Sequence, residues 1–150
     1  MKQPFEGVLE QLQDRVYQEL RRQHDFQKIC IMEQKRSSLS SLCEQLIQRQ
    51  LGEGIFITAP LPKKIVSDVP GPVYEQIVFS VQVIENITIN RSGHSALSIA
   101  ERIAQQLHLK EFVFGNQRWT VRCNDKDPWT FEWNDGENII TLNFSTQYSF

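Results

Sequence analysis

The clearest hydrophobic pattern in the chain is an alternation of apolar and polar residues over 73–84, which is typical of a strand. One face of this strand carries most of the large apolar side chains and is the better candidate for the core: Val73, Ile77, Phe79, Val81 and Val83. After a polar turn from Asn86 to Gly93, Ser92 or Ser95 begins a helix. The apolar stripe of that helix is narrow and fits closely against a sheet: Ala96, Ile99, Ala100, Ile103, Ala104 and Leu107.

Two further helices are predicted before Gly52. Residues 5–23 carry apolar side chains at steps of three or four: Phe5, Val8, Leu9, Leu12, Val16 and Leu20. A second helix is predicted over residues 38–51, and it begins either at Ser41, which has capping-box spacing to Glu44, or at Ser38. The short apolar run Ile29–Met32 between the two helices fits a strand or a continued helix, and we favour the strand.

The remaining segments are predicted to be strands and loops. Residues 54–60 read as a strand that ends at Pro60, and residues 60–72 read as a loop because their four prolines cannot donate to a central ladder. In the last third, Asp135-Gly136 is a strong hairpin signal. The preceding strand places Trp129, Phe131 and Trp133 on one side, and we favour a place in the core over an interface for the tryptophans. For the last four residues, core and interface both stay open.

These elements predict one α+β domain over residues 1–150, with a mixed or antiparallel β-sheet, amphipathic helices packed on one face and a C-terminal β-meander. The domain consists of N-terminal helices 5–23 and 38–51, a central strand–helix unit 73–108 and C-terminal β-hairpins 111–145. A length of 150 residues favours a single domain with its own core.

Composition and charge narrow the possible functions. The formal charge of −2, from 16 basic and 18 acidic residues, argues against a general binder of phosphate backbones but leaves a local basic patch open. The N-terminus lacks the apolar core of a signal peptide, and no apolar run approaches the roughly 20 residues of a membrane span. We therefore expect the protein in a cytoplasm.

The residue types that carry catalysis are sparse. Cys30, Cys43 and Cys123 are odd in number and widely spaced, which favours reduced structural thiols over disulfides or a zinc site. None of them forms a recognisable nucleophile signature with His24, His94 or His108, and no two ligands have metal-site spacing: the sequence predicts no catalytic residue, no metal and no cofactor.

Acidic residues surround the aromatic hairpin and superficially resemble the carboxylate pair of a glycosidase: Asp125, Asp127, Glu132, Asp135 and Glu137. We favour solvated turn residues, because turns select Asp and Asn. Gly52 and Gly54 precede a strand rather than a helix, which is the wrong order for a phosphate-binding loop.

Residues 78–108 read VFSVQVIENITINRSGHSALSIAERIAQQLH, and this segment resembles the tail terminator and minor tail protein families of long-tailed bacteriophages and prophages. In those families a strand of alternating valines ends in a Glu-Asn pair, passes an Asn-Arg loop and enters a helix with Ala-Glu and Leu-His. The matching positions here are Val81, Val83, Glu85, Asn86, Asn90, Arg91, Ala100, Glu101, Leu107 and His108.

The resemblance implies a structural subunit without catalytic activity. Its copies close into a ring, commonly six-membered, that caps the finished tail tube, stops its polymerisation and gives the head a docking surface. The implied partners are further copies of the chain, tail-tube proteins and head–tail connector proteins, with DNA only passing through the channel and no membrane. The implied location is the bacterial host cytoplasm during assembly and then the virion tail.

Contacts in a ring are often supplied by strand edges, long loops and chain termini. We expect the subunit interface or docking surface at the 60–72 loop, the 86–93 loop and the C-terminal strand. The candidate residues are Lys63, Lys64, Asn86, Asn90, Arg91, Tyr148 and Phe150. The alternative hypotheses are a non-catalytic ligand-binding or adaptor module that uses the aromatic C-terminal hairpin, and a hydrolase with acidic residues near the tryptophans.

Overall fold

The computed structural model describes residues 7–35, 38–64, 74–90, 94–123, 129–134 and 136–149. Its helices are α1 Val8–Arg22, a short 3₁₀ helix His24–Phe26, α2 Leu39–Gln48 and α3 Ala96–Leu107. Its strands are β1 Cys30–Glu33, β2 Glu53–Ile57, β3 Leu61–Lys64, β4 Tyr74–Asn86, β5 Glu111–Phe114, β6 Gln117–Thr120, β7 Arg122–Cys123, β8 Thr130–Asn134 and β9 Glu137–Ser149. No helix in these ranges is long and apolar enough to cross a membrane.

Two antiparallel strands of 13 residues, β4 and β9, form the centre of the sheet. They pair along their full length, from Tyr74 opposite Ser149 to Asn86 opposite Glu137. On the outer side of β4 lie β2 and β3, and on the outer side of β9 lie β7 and β8. The strand β1 extends the sheet beyond β2 and is parallel to it, while β5 and β6 form a separate hairpin.

The main core lies between one face of the sheet and the helices α1 and α3. The strand face predicted for the core is confirmed where it is described, because the side chains of Ile77, Phe79, Val81 and Val83 are buried. The rings of Phe79 and Phe144 stack across β4 and β9, with their centroids 5.4 Å apart. The predicted stripe of α3 faces the same core, and Ser95 caps the helix by accepting a hydrogen bond from the backbone N–H of Ser98.

A second, smaller core lies on the opposite face of the sheet, under α2. Leu42 and Leu46 of this helix pack against apolar side chains of three strands: Phe56, Ile84 and Ile139. The α+β class, the mixed sheet and the C-terminal strands are confirmed, but the helices cover both faces rather than one. The physical reason is that at this end of the sheet both faces are apolar, so both need a cover.

Several element boundaries follow the predictions. The run Ile29–Met32 largely becomes the strand β1, and α2 begins after Ser38, whose hydroxyl accepts a hydrogen bond from the backbone N–H of Ser41. The predicted 60–72 loop is wrong for Leu61–Lys64, which forms β3. Pro62 is compatible with this strand because β3 is an edge strand, which pairs only with β4 among the described strands. An edge strand has no second neighbour to which the missing N–H of a proline would have to donate. Residues 65–73 of that loop lie outside the described ranges.

The core position favoured for the tryptophans of the aromatic hairpin is wrong. Trp129, Phe131 and Trp133 are 39%, 60% and 66% exposed. The predicted hairpin pairing itself is present, with Phe131 opposite Ile140 and Trp133 opposite Asn138. These side chains are exposed because α3 packs on β4 and β9, whereas β8 lies beside β9 on the side away from β4.

Candidate docking surfaces

The carboxylate of Glu85 joins the end of β4 to the start of α3. Its Oε1 accepts a hydrogen bond from the backbone N–H of Ala96 at 3.1 Å, and its Oε2 accepts one from Asn90 Nδ2 at 2.7 Å. Asn138 Nδ2 of β9 lies 3.5 Å from Oε1. A carboxylate at a helix N-terminus satisfies a free donor and interacts favourably with the helix dipole. One side chain therefore positions the 86–95 loop, α3 and β9 relative to one another.

Asn86 and Asn90 both hold the shape of this loop with their side chains. Asn86 Oδ1 accepts hydrogen bonds from the backbone N–H groups of Thr88 and Ile89, and Asn90 Nδ2 also donates to the carbonyl oxygen of His94 at 2.7 Å. The side chain of Ile87, which directly follows β4, is 43% exposed. The asparagines thus fix the described part of the loop, and Ile87 is an exposed apolar group within it.

The loop lies directly against the start of β2. A Cβ atom on Gly52 would come within 2.4 Å of the Cα atom of Asn90, which is far inside contact distance. The carbonyl oxygen of Gly52 also accepts a hydrogen bond from the backbone N–H of Asn86 at 2.8 Å. A glycine is therefore required at position 52 for the loop to pack as it does.

The other candidate residues lie at the far end of β4. Lys63 is exposed on β3 opposite Gln76, while Lys64 and Tyr148 both pair with Glu75 from the two neighbouring strands. Glu75 and Asn86 are eleven residues apart on one strand, which corresponds to about 36 Å at ~3.3 Å per residue. The candidates therefore form two groups at opposite ends of the sheet. Arg91 and Phe150 lie outside the described residues.

The edge strand β8 presents the largest exposed aromatic side chains of the described chain. Phe131 and Trp133 point to the same side of the sheet, because residues two apart on a strand share a face. The outer edge of β8 has no strand neighbour among the described residues. Exposed aromatic groups on an open strand edge are typical of a surface that pairs with another chain.

The histidines and cysteines do not assemble into a catalytic site in the described part of the chain. His24 and His94 line one cavity of about 550 Å³, but no group of three or more described metal-ligating side chains converges there. His108 Nδ1 accepts a hydrogen bond from the backbone N–H of Cys123 at 3.1 Å. Burial and the nearby Glu137 carboxylate raise the pKa of the Cys43 thiol to about 11, so this thiol stays protonated at neutral pH.

One carboxyl group, that of Glu33, has an altered titration. Glu33 of β1 lies near Asp14 of α1, and Lys35 Nζ is 2.6 Å from Asp14 Oδ1 and 3.7 Å from Glu33 Oε2. Burial, reinforced by the neighbouring Asp14 carboxylate, raises the pKa of Glu33 to about 7, against the lowering effect of Lys35. This cluster joins α1 to the edge of the sheet and is a stability element rather than a site.

A polar groove between β6 and β9 was not predicted from the sequence. Its volume is about 550 Å³, and Arg118 and Arg122 contribute the charged groups of its lining. The signal in the sequence was the alternation of polar residues at 118, 120 and 122 with the buried Trp119 and Val121. That pattern gives a polar side to the strand but does not reveal that β9 lies beside it.

No protein-family model matches the chain, and no curated protein matches it in sequence. A chain from the virion of a native gene transfer agent particle has a similar structure, with a TM-score of 0.62 and 14% sequence identity. The match covers 93% of this chain and 95% of that chain. A second solved chain matches with a TM-score of 0.55 and 15% identity, over 95% of this chain and 98% of its own length. At these identities the likeness shows a shared fold that extends over nearly the whole of each chain.

Proposed function

We propose that this chain is a non-enzymatic structural subunit of a phage or phage-like particle and acts as a tail terminator. Its copies close into a ring that caps the tail tube and docks to the head–tail connector. The observation that carries the proposal is the whole-length structural likeness to a chain of a gene transfer agent virion. The resemblance of residues 78–108 to tail terminators points to the same role.

A ring is built from contacts between two different surfaces of the subunit. Each copy then binds the next head to tail, and the ring closes when the rotation from copy to copy adds up to a full turn. The sheet has unlike edges: β1 ends it on one side, and the aromatic strand β8 lies at the other. In the proposed ring, the aromatic edge of one copy, with Phe131 and Trp133, packs against the neighbouring copy. The exposure of these side chains supports this assignment, because burial in an interface removes their apolar surface from water.

The two ends of β4 are proposed to contact different partners. Asn86 and Asn90 lie at one end, and Lys63, Lys64 and Tyr148 lie at the other. Arg91 and Phe150, which adjoin these groups in sequence, remain candidates that lie outside the described residues. A terminator has one side toward the tube and one toward the connector, and two docking groups about 36 Å apart on one strand suit that arrangement. In this role the protein needs no cofactor, is assembled in the bacterial host cytoplasm and remains in the virion tail.

Deletion of the gene in a strain that produces the particles tests the proposal. The expected result is headless tails with tubes of uncontrolled length, because nothing then stops polymerisation. Complementation with the intact chain restores tails of normal length, and purified chain added to uncapped tubes appears as a ring at one end in electron micrographs. Particles that assemble normally without the chain would refute the proposal.

The second candidate function is a ligand-binding or adaptor module, and the specific observation in its favour is the exposed aromatic set on β8. Replacement of Trp129 and Trp133 by alanine separates the two functions. A tail terminator with these changes loses self-association and tube capping. An adaptor with these changes leaves tail assembly normal but no longer binds its ligand. That ligand is the protein that cross-links to the intact chain and not to the substituted one.

A further inference from the structure

The polar groove between β6 and β9 has a simple structural origin. β7 pairs with β9 at Ser145 and Phe144, but the preceding strand β6 turns away to pair with β5. Beyond Ser145 the outer edge of β9 therefore has no strand neighbour in the described part of the chain. The wedge between the two diverging strands is an open space of about 550 Å³.

The groove's lining is cationic and rich in hydrogen-bonding groups. Two guanidinium groups, two hydroxyls and two amides supply most of it: Arg118, Arg122, Thr120, Ser145, Gln76 and Gln147. The described lining contains neither a carboxylate nor an aromatic ring. In a chain with a net charge of −2, this is a local concentration of positive charge.

Among the described residues these charges have little compensation. Arg122 forms no ion pair with any described residue, and Arg118 makes a single contact at 3.4 Å with Glu111, between side chains that are both well exposed. An exposed ion pair of this kind contributes little, so Arg118 can exchange it for another anion.

A third cation continues this surface across the sheet. Lys63 of β3 lies opposite Gln76 of β4, which in turn lies opposite Gln147 of β9. Directly opposed residues of antiparallel strands share one face of the sheet, so Lys63 is on the same face as the amides of the groove. The cationic surface therefore runs from the groove across β4 to β3.

We propose that this groove binds the phosphodiester groups of a nucleic acid strand. Guanidinium groups match the geometry of phosphate oxygens, and Ser, Thr and Gln side chains are the usual neutral phosphate contacts. The described lining has no aromatic rings on which bases could stack, so the proposed contacts are to the phosphate backbone, and such contacts do not read sequence. The choice of DNA as the source of the phosphates rests on the proposed function, in which DNA passes the ring; the charge and shape of the groove stand without it.

The test measures fluorescence anisotropy of a short labelled DNA duplex with the full-length protein over a series of salt concentrations. The double variant Arg118→Gln/Arg122→Gln is expected to lower the apparent affinity at low salt by roughly tenfold and to reduce the slope of log K against log salt by about 2. The matched control is Arg49→Gln, an exposed arginine at the C-terminal cap of α2 that does not line the groove, with an expected change of less than about twofold. Gln76→Glu, which adds a carboxylate to the groove, is expected to weaken binding as well.

The outcomes test both whether the groove binds DNA and whether its anionic ligand is a nucleic acid or an acidic protein segment. Equal affinity of the double variant and the intact protein overturns the proposal, as does an equal loss in Arg49→Gln. Binding of polyglutamate but not of DNA or inorganic phosphate also overturns it and identifies an acidic protein segment as the ligand. The assay needs no assembled ring. If the intact protein caps tubes but does not bind DNA, only this inference is defeated, whereas if it binds DNA but does not cap tubes, only the proposed terminator role is defeated.

Discussion

Glu85 and Ala96 are eleven residues apart in sequence, yet the Glu85 carboxylate accepts a hydrogen bond from the backbone N–H of Ala96 at 3.1 Å. The same carboxylate accepts the amide of Asn90, so strand, loop and helix converge on one side chain. This relationship explains why a strand ending in Glu-Asn and a helix beginning at Ala96 belong to one structural unit. It also leads to a direct prediction.

Replacement of Glu85 by alanine is expected to lower the free energy of unfolding by about 1–3 kcal/mol, because it removes two short hydrogen bonds and a favourable charge at a helix N-terminus. Urea denaturation followed by circular dichroism measures the change. The matched control is Glu101→Ala on the exposed side of α3, for which we expect a change within about 0.5 kcal/mol. Equal stabilities of the two variants would show that the Glu85 contacts contribute nothing.

Replacement of Gly52 by alanine is expected to displace the 86–90 loop, since the new Cβ atom would lie 2.4 Å from the Cα atom of Asn90. Backbone cannot yield as a flexible side chain does, so we expect a loss of about 1–3 kcal/mol and altered amide chemical shifts in the loop. Gly7→Ala is the control, because no atom lies within 4 Å of its added Cβ. A loop spectrum unchanged by Gly52→Ala would contradict the observed packing.

Replacement of Trp133 by alanine is expected to leave the free energy of unfolding nearly unchanged, because this side chain is mostly in water. Replacement of Trp119, which is 3% exposed and packs on Phe114, is expected to cost about 3–5 kcal/mol. Thermal unfolding of the two single variants provides the comparison. A large loss of stability in Trp133→Ala would mean that the aromatic edge belongs to the core after all.

The raised pKa of Glu33, about 7, makes stability depend on pH. In the unfolded chain this carboxyl titrates near its model value of 4.5, so between that pH and 7 the folded state holds a proton that the unfolded state has released. The contribution of this group is fully present below pH 4.5 and is lost as the pH rises through 7. The stability difference between the Glu33→Gln variant and the intact protein is therefore expected to shift in favour of the variant between pH 4.5 and pH 8. The expected shift is on the order of 1 kcal/mol after allowance for partial solvent access.

Chemical denaturation of the intact and Glu33→Gln proteins at several pH values checks this expectation. Lys35→Met supplies a second arm, because Lys35 lowers the pKa of Glu33, and without it the loss of stability with rising pH should become larger and extend to higher pH. A stability difference between intact and Glu33→Gln protein that stays constant from pH 4.5 to 8 would contradict the altered titration.

The sequence by itself determined the elements whose hydrophobic period is long and regular. Alternation over 73–84 indicated β4 and its buried face, and the small apolar residues from Ala96 to Leu107 indicated α3 and its packing side. These features are local, because the period of a strand or helix decides which side chains share a face. The choice of Ser38 over Ser41 as the start of α2 was open in the sequence, since both serines have a plausible capping geometry.

Only the tertiary structure decided how the strands lie beside one another. The aromatic side of β8 has the alternation of a core strand, and it is exposed because the described helices pack on other strands. The groove of Arg118 and Arg122 exists because β6 pairs with β5 and leaves β9. Neighbour relations between strands depend on contacts distant in sequence, and a local period contains no information about which strand, helix or solvent covers a face.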